Sequence, residues 1–470
     1  MLFNSFDFFL FLIIVLFIYW ILPSKYRWIL LLLSSYFFYA QWNASYLLLL
    51  VFTTILDFVL SLKLTSSPIK IKRKLGLALS LIMNLGVLFL FKYFDFFQQI
   101  ISDILSYFEI NYTSTNFELL LPVGISFYTF QVISYSIDVY RKTIEPERNI
   151  GKFALFVSFF PQLVAGPIER AKDLIPQVNN LKHTFNQENL KIGLTYIIWG
   201  LFQKVAVADN ISILVDKVYE NPMNANSGLL IFTSLLFSIQ IYTDFAGYSN
   251  MAIGIAKLFD YNLIINFNSP YISSSITSFW KKWHISLSNW VKDYIYIPLG
   301  GNRVLKHRIY FNLIITFFIV GLWHGASYNF LIWGLLTGIL LIIERLFNIR
   351  NESKNKIINF ARMIFIFFLI SLIWIPFRSQ TLGDTFYIYR KILTDFNLFQ
   401  LKYWINENIS SLFTIPIIIL IIIEILTHKL GFISILSWKK NYKIIFYLII
   451  IFSIIFLGQT KGGAFIYFQF

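Results

Sequence analysis

Long apolar runs recur along the whole chain, and short clusters of Lys and Arg separate them. Only 13% of the 470 residues are charged, whereas a soluble domain carries about a quarter. A helix of about 20 apolar residues crosses the hydrocarbon core of a bilayer. The sequence therefore predicts an all-α polytopic membrane protein with about 11–12 transmembrane helices, plus re-entrant and interfacial helices.

The predicted elements follow one another without a soluble insertion, so residues 1–470 are expected to form a single transmembrane domain. Within it we distinguish N-terminal helices (1–140), a central region with the motifs (141–350) and C-terminal helices (351–470). Segment 153–167 is too short to span and is interrupted by prolines, which indicates a re-entrant or interfacial segment. The predicted spans are 8–22, 28–40, 46–62, 75–94, 119–140, 191–206, 229–245, two runs within 309–344, 360–377, 413–427 and 444–457.

The formal net charge of +15 does not indicate nucleic-acid binding, because the basic residues lie in short loops between the apolar runs. That distribution is the positive-inside pattern, which predicts the bilayer itself as the partner. The chain has no cysteine, which excludes disulfides and thiolate metal sites. Its histidines and acids do not show metal-ligand spacing, so no metal site is expected.

A histidine lies between the two apolar runs of 309–344, in the sequence Gly321-Leu322-Trp323-His324-Gly325. An ionisable side chain at membrane depth is costly and is therefore a functional candidate. Position alone leaves two interpretations open. His324 is either a reactive group or a histidine that packs with its hydrogen bonds satisfied.

In segment 279–303, aromatic residues recur every three or four positions, and so do the basic and polar residues. This spacing gives an aromatic and a basic face, which is typical of an amphipathic helix in the membrane interface. Its aromatic face is Trp280, Trp283, Leu287, Trp290 and Tyr294, and its polar face is Lys281, His284, Ser288 and Lys292. The segment is either an interface anchor or a basic groove for a donor that carries a diphosphate. In the second case Lys281, Lys292, Asn302 and Arg303 are the candidate donor-binding residues.

The positive charges that follow this segment predict that His284 lies at the cytoplasmic surface. His324 lies 15 residues beyond Ile309, about 22 Å along a helix. We therefore expect the two histidines on opposite sides of the membrane. The same topology places Asp209, Asp216 and Glu220 in an acidic outer loop.

Three other histidines, His183, His307 and His428, are expected to be solvated. Asp244 is expected either to orient His284 or a lysine, or to accept hydrogen bonds at a helix end.

Six stretches together resemble the membrane-bound O-acyltransferase (MBOAT) family, in particular its bacterial branch of alginate O-acetylases and peptidoglycan O-acetyltransferases. They span most of the chain and occur in the family's order. They are Leu121–Phe127, Phe160–Gln162 with Ala165–Ile168, Tyr242–Ser249, Phe279–Arg303, Gly321–Gly325 and Phe465–Phe470. The resemblance implies that His324 and His284 are the family's two functional histidines.

The resemblance also implies the reaction. Acyl transfer would start from a cytoplasmic thioester, with acetyl-CoA as donor substrate and no bound cofactor, and would O-acetylate a cell-envelope or exported polysaccharide. The setting would be the bacterial cytoplasmic (inner) membrane, and a separate exported transferase of the SGNH type would be the partner. Histidine suits the role of general base because its ordinary pKa lies near neutrality, and we assign that role to His324. Direct transfer and a covalent acyl-histidine both remain open.

Two other functions fit parts of the pattern. The first is the sister activity of the family, transfer of D-alanine from a carrier protein to teichoic acid. The second is a proton-coupled transporter that uses His324 and Asp244. Transporters usually contain two halves with matching broken helices, and the sequence shows no internal repeat.

Overall fold

A computed structural model describes residues 1–66, 69–110, 120–164, 166–349, 355–409, 411–459 and 465–466. These residues form helices and contain no β-strand. Ala165 and the last four residues of the final motif lie outside the described residues. The described chain divides into two compact units, Met1–Gly193 with Ile255–Ile264, and Leu194–Gly254 with Ile265–Phe470. The single-domain assignment stays a prediction.

The first unit is built from the helices before Gly193. A π-helical turn, Phe89–Tyr93, joins α4 to α5, so Lys70–Tyr107 is one continuous helical segment. The helices are α1 (Phe6–Ile21), α2 (Ser24–Ala40), α3 (Ala44–Ser66), α4 (Lys70–Leu88), α5 (Phe94–Tyr107), α6 (Ile125–Tyr140), α7 (Ile150–Ser158), α8 (Phe160–Leu163), α9 (Ala171–Asn179) and the start of α10 (Gln187–Leu201).

The second unit contains the long helix α12 and both segments that hold the predicted histidines. Its α-helices are the rest of α10, α11 (Asp209–Tyr219), most of α12 (Ser227–Leu258), α13 (Ile276–Lys282), α14 (Ile285–Val291), α15 (Lys306–His324), α16 (Tyr328–Leu346), α17 (Lys356–Arg378), α18 (Leu382–Thr394), α19 (Phe399–Asn408), α20 (Ser411–Thr427) and α21 (Lys440–Leu457). Phe202–Ala208 and Lys292–Tyr296 are π-helical, and Pro222–Asn224 and Phe432–Ser437 are 3₁₀-helical.

Seven helical segments in the described chain are long and apolar enough to cross a membrane, and a bent pair of helices near 401–427 raises the number to eight. The all-helical polytopic class is thereby confirmed. The predicted number of about 11–12 spans stays a prediction. Several of the predicted runs form helices that are too short to be included among these seven; α1, for example, is apolar but has 16 residues. The hairpin 309–344 appears as α15 and α16, and segment 153–167 forms the short helices α7 and α8.

Two predictions about loops are wrong. Asp209 does not lie in an outer acidic loop but at the start of α11, where it is buried beside Lys204 at 2.8 Å. His183 is not solvated. It is buried, its Nδ1 lies 3.2 Å from Asp260, and its ring stacks on Tyr261. The sequence pattern missed the Asp209 pair because the chain continues as a helix from Phe202 into α11 instead of entering a loop. It missed the surroundings of His183 because Asp260 is 77 residues away in the chain.

In the second unit, α10 and α12 approach so closely that their backbones touch. A Cβ atom on Gly200 would lie 2.4 Å from the carbonyl oxygen of Gly247, and a Cβ atom on Gly247 would lie 2.8 Å from that of Gly200. Small residues at such crossings are typical of membrane helices because van der Waals contact drives their association.

We expect Gly200→Ala to lower the free energy of unfolding by about 1–3 kcal/mol, because the added methyl group meets a backbone atom that has no side-chain freedom to move. Thermal unfolding in detergent measures the effect. Gly86→Ala is the matched control, since a Cβ there has no heavy atom within 4 Å and alanine is the better helix former. Equal unfolding temperatures for the two variants would contradict the prediction.

Candidate active site

His324 ends α15, and the tight packing of α15 on α16 sets its position. A Cβ atom on Gly321 would lie 2.3 Å from the carbonyl oxygen of Phe330, and one on Gly334 would lie 2.3 Å from that of Phe317. The two helices therefore touch backbone to backbone just before His324. Any larger residue at these two positions would push the helices apart and move the imidazole.

The surroundings of the His324 ring are aromatic. Its centroid lies 4.9 Å from the ring of Trp333, 5.0 Å from Trp323 and 5.2 Å from Phe377, each in an edge-to-face arrangement. Trp374 stacks on Trp333 at 5.4 Å. His324 is only 2% exposed. These rings restrict the orientation of the imidazole by packing against it, and they exclude bulk water from it.

His284 lies at a break between α13 and α14 and adopts a left-handed backbone conformation, φ 43°. Its Nδ1 lies 3.1 Å from Oδ1 of Asn266. The same oxygen accepts the backbone N–H and the hydroxyl of Ser286. A backbone N–H can only donate, which identifies this atom of Asn266 as the oxygen. Nδ1 of His284 therefore donates, and Nε2 is the basic nitrogen of the neutral ring.

Complete burial lowers the pKa of His284 to about 3, because desolvation disfavours the imidazolium. The ring is therefore neutral in the physiological pH range. Phe245 meets it edge-on at 4.6 Å, and Trp323 lies at 5.9 Å.

The predicted separation of the two histidines across the membrane is wrong. Trp323 contacts both imidazoles, at 5.9 Å from His284 and 5.0 Å from His324. The prediction treated 279–303 as one surface helix, but the break at His284 ends α13 and turns the chain inward. Trp283, expected at the interface, is buried for the same reason.

The second unit contains a cavity of about 350 Å³, and neither His284 nor His324 is among its lining residues. Ile285, the neighbour of His284, and Val320, one helical turn before His324, both line it. Lys281, Lys292 and Asn302 also line the cavity, so three of the four predicted donor-binding residues lie together. Arg303 is not among the lining residues.

The end of α16 contributes two adjacent charged residues to this region, and neither was predicted to belong to the site. The carboxylate of Glu344 accepts the backbone N–H groups of Ile276 and Thr277 and the Thr277 hydroxyl, and so fixes the start of α13. Arg345 lines the cavity and donates to Oδ1 of Asn302 at 2.8 Å. In the sequence, both residues look only like charges that end the hairpin.

Two buried polar atoms of the cavity wall have no hydrogen-bond partner among the described residues, Nε1 of Trp280 and Oγ1 of Thr316. Buried donors and acceptors in native proteins are usually paired with protein or water. A ligand in the cavity would supply such partners.

Residues 147–377 match the family described as "MBOAT, membrane-bound O-acyltransferase family". A protein of Pseudomonas aeruginosa named "Probable alginate O-acetylase AlgI" is 38% identical over 86% of this chain and 76% of its own length. The chain belongs to the membrane-bound O-acyltransferase family.

Other MBOAT relatives differ in how much of the chain they match. A peptidoglycan O-acetyltransferase of Helicobacter pylori is 39% identical over 75% of this chain and 71% of its own length. A teichoic acid D-alanyltransferase of Streptococcus thermophilus is 28% identical over 51% of this chain and 60% of its own length. The protein is thus a multi-pass membrane O-acyltransferase. The MBOAT match includes both histidines and every residue that lines the cavity.

Asn266 is a residue that sequence reasoning missed, since nothing in the polar stretch 260–270 distinguishes it from a solvated loop asparagine. It is completely buried, and its Nδ2 donates to Ser249 at 3.1 Å. Only the fold of the chain brings it to His284 and Ser286.

Asn266→Ala should lower the free energy of unfolding by about 1–3 kcal/mol, because it leaves buried donors of Ser286 and His284 without their acceptor. It should also reduce acyl transfer, because the ring of His284 loses the bond that sets its tautomer. Unfolding curves and initial rates measured on the same preparation check both effects. The control is Asn180→Ala at an exposed loop position, and full activity of Asn266→Ala would contradict the assigned role.

Proposed function

We propose that the protein transfers an acetyl group from acetyl-CoA for O-acetylation of a cell-envelope or exported polysaccharide, in the bacterial cytoplasmic membrane. The observation that carries this proposal is a pair of buried histidines that both contact Trp323 and lie close in the chain to residues of a cavity wall. The same wall carries Lys281, Lys292 and Arg345. The names of two relatives, an alginate O-acetylase and a peptidoglycan O-acetyltransferase, support acetyl as the acyl group.

The cavity suits a thioester donor chemically. Coenzyme A carries anionic phosphates at one end and a flexible arm with amide groups that ends in the thioester. The basic groups Lys281, Lys292 and Arg345 would bind the phosphates, and Arg345 is already oriented by Asn302. Trp280 Nε1 and Thr316 Oγ1 would bond polar groups of the arm, and the apolar wall near Val320 would lead its end toward His324.

His324 is proposed as the general base. An acceptor hydroxyl gives its proton to the imidazole as its oxygen attacks the thioester carbonyl carbon. The tetrahedral intermediate then collapses, the C–S bond breaks, and the thiolate takes the proton from the imidazolium to leave as the free thiol. A well-positioned base contributes about 10²–10⁴-fold to such a step, and the aromatic surroundings would limit hydrolysis by water.

His284 would act on the donor. Because its Nδ1–H is directed to Asn266, neutral His284 offers only Nε2, which accepts hydrogen bonds. It therefore suits an N–H group of the donor arm better than the carbonyl oxygen, which needs a donor during attack. This division of roles keeps one histidine for proton transfer and one for donor placement.

The final acceptor is proposed to receive the acetyl group through a separate exported transferase of the SGNH type. D-alanyl transfer to teichoic acid is the weaker alternative, because the D-alanyltransferase relative matches about half of this chain at lower identity. Product analysis with acetyl-CoA and with a D-alanyl carrier protein would separate the two activities.

His324→Ala should abolish acetyl transfer while leaving binding of acetyl-CoA within about twofold, because only the transition state needs the base. His284→Ala should retain some transfer and show a defect that depends on the donor. Reconstituted protein with labelled acetyl-CoA provides both measurements. His307→Ala, at an exposed histidine that does not line the cavity, is the matched control. Normal transfer by His324→Ala would contradict the general-base assignment.

Thr316→Val and Trp280→Phe should each raise KM for acetyl-CoA about 5–10-fold with a smaller effect on kcat, because each removes one polar group of about 1–1.5 kcal/mol and keeps most of the side-chain volume. Thr414→Val, in α20 away from the cavity-lining residues, controls for loss of a threonine hydroxyl. Unchanged KM in both cavity variants would show that the donor binds elsewhere.

A further inference from the structure

Residues Phe465 and Ile466 are bound tightly to α12 in the second unit. Phe465 is completely buried, and its ring centroid lies 4.4 Å from Tyr248 and 5.8 Å from Phe245. The backbone N–H of Ile466 donates to Oδ2 of Asp244 at 2.7 Å. An aromatic contact and a charge-assisted hydrogen bond thus hold this short segment at one place on the helix.

The carboxylate that holds Ile466 is itself held by a buried lysine. Oδ1 of Asp244 lies 2.7 Å from Nζ of Lys204, which also lies 2.8 Å from Oδ1 of Asp209. All three side chains are nearly inaccessible, at 1–3% exposure. Buried charges of this kind depend on their partners, because desolvation penalises any charge left alone. Lys204 therefore restrains the carboxylate that Ile466 binds.

Phe245 follows Asp244 in α12 and connects this segment to His284. Its ring lies 5.8 Å from Phe465 and 4.6 Å from the imidazole of His284, which it meets edge-on at 89°. It also contacts Phe267 at 5.0 Å. Asn266 fixes one nitrogen of His284. The Phe245 ring restricts tilting of the imidazole by meeting it edge-on, and Phe465 packs against Phe245.

We propose that Lys204, Asp244, Phe465 and Ile466 form a clasp that positions His284 through Phe245. These are positioning residues, since none of them lines the donor cavity or is placed against the reacting atoms. The inference rests on the proposed function in so far as His284 takes part in transfer. Its structural content, restraint of the His284 ring by Phe465, is independent of which acyl group is moved.

The kinetic test is Phe465→Ala, which removes the ring and keeps the backbone N–H that Asp244 binds. We expect kcat to fall about tenfold and KM for acetyl-CoA to change less than about twofold, because a small misplacement of an active-site group slows the chemical step. Phe456→Ala removes an exposed phenylalanine of α21 and should leave both constants unchanged. Phe465→Leu, which keeps part of the side-chain volume, should show a kcat between those of Phe465→Ala and the wild type.

A second readout does not depend on activity. Diethyl pyrocarbonate modifies accessible neutral imidazoles, and peptide mass spectrometry resolves the five histidines. His284 should be protected in the wild type and modified severalfold faster in Phe465→Ala, with exposed His307 as the internal standard. An unchanged rate at His284, together with wild-type kcat, would overturn the clasp. Loosened His284 without any acetyl transfer by the wild type would leave the clasp standing and reject the proposed function.

A double-mutant cycle separates a clasp from general loss of stability. Asp244→Asn removes the charge that pairs with Lys204, and Phe465→Ala removes the ring. If both act through one clasp, the double variant should be little worse in kcat than the more impaired single variant, since coupled residues are not additive. Multiplicative losses would show that the two residues act separately and would overturn the proposal. If Phe465→Ala does not fold, the same cycle with Phe465→Leu decides.

Discussion

The backbone contact between α15 and α16 is the constraint on which the site depends. Gly321 and Gly334 let the two helices meet without side chains between them. That contact brings Trp333 of α16 edge-on to His324 of α15. It also places Glu344 and Arg345, three turns farther along α16, where one fixes the start of α13 and the other lines the cavity. A single close approach thereby positions His324, the helix before His284 and part of the cavity wall.

The histidines are held mainly by rings, and this choice of neighbours has chemical consequences. Aromatic edges restrict the orientation of an imidazole without donating or accepting strong hydrogen bonds. They also limit the access of water to the ring. His284 additionally directs Nδ1–H to Asn266, and this bond underlies the role in donor placement that we propose for it.

Sequence reasoning succeeded where a local pattern was sufficient. Runs of apolar residues predicted the helices, and the position of His324 between two such runs marked it as a functional candidate. The basic and polar residues Lys281, Lys292 and Asn302 were grouped correctly because they are close in the chain. Arg303 was grouped with them by proximity alone, and its side chain is not in the cavity wall. The prediction for 279–303 was wrong because helical periodicity assumes one unbroken helix, and a single left-handed residue at His284 invalidates that assumption.

The sequence by itself determined the helical membrane class and the family, because these depend on hydrophobic runs and short contiguous motifs. It also marked His324 and His284 as candidates. Only the tertiary structure decided that the histidines share Trp323, that Asn266 sets the tautomer of His284, and that Lys204 and Phe465 converge on α12. Each of these contacts joins residues that are far apart in the chain, except at Trp323 and His324. Periodicity and composition carry no information about which distant side chains meet, since that depends on how closely the helices pack.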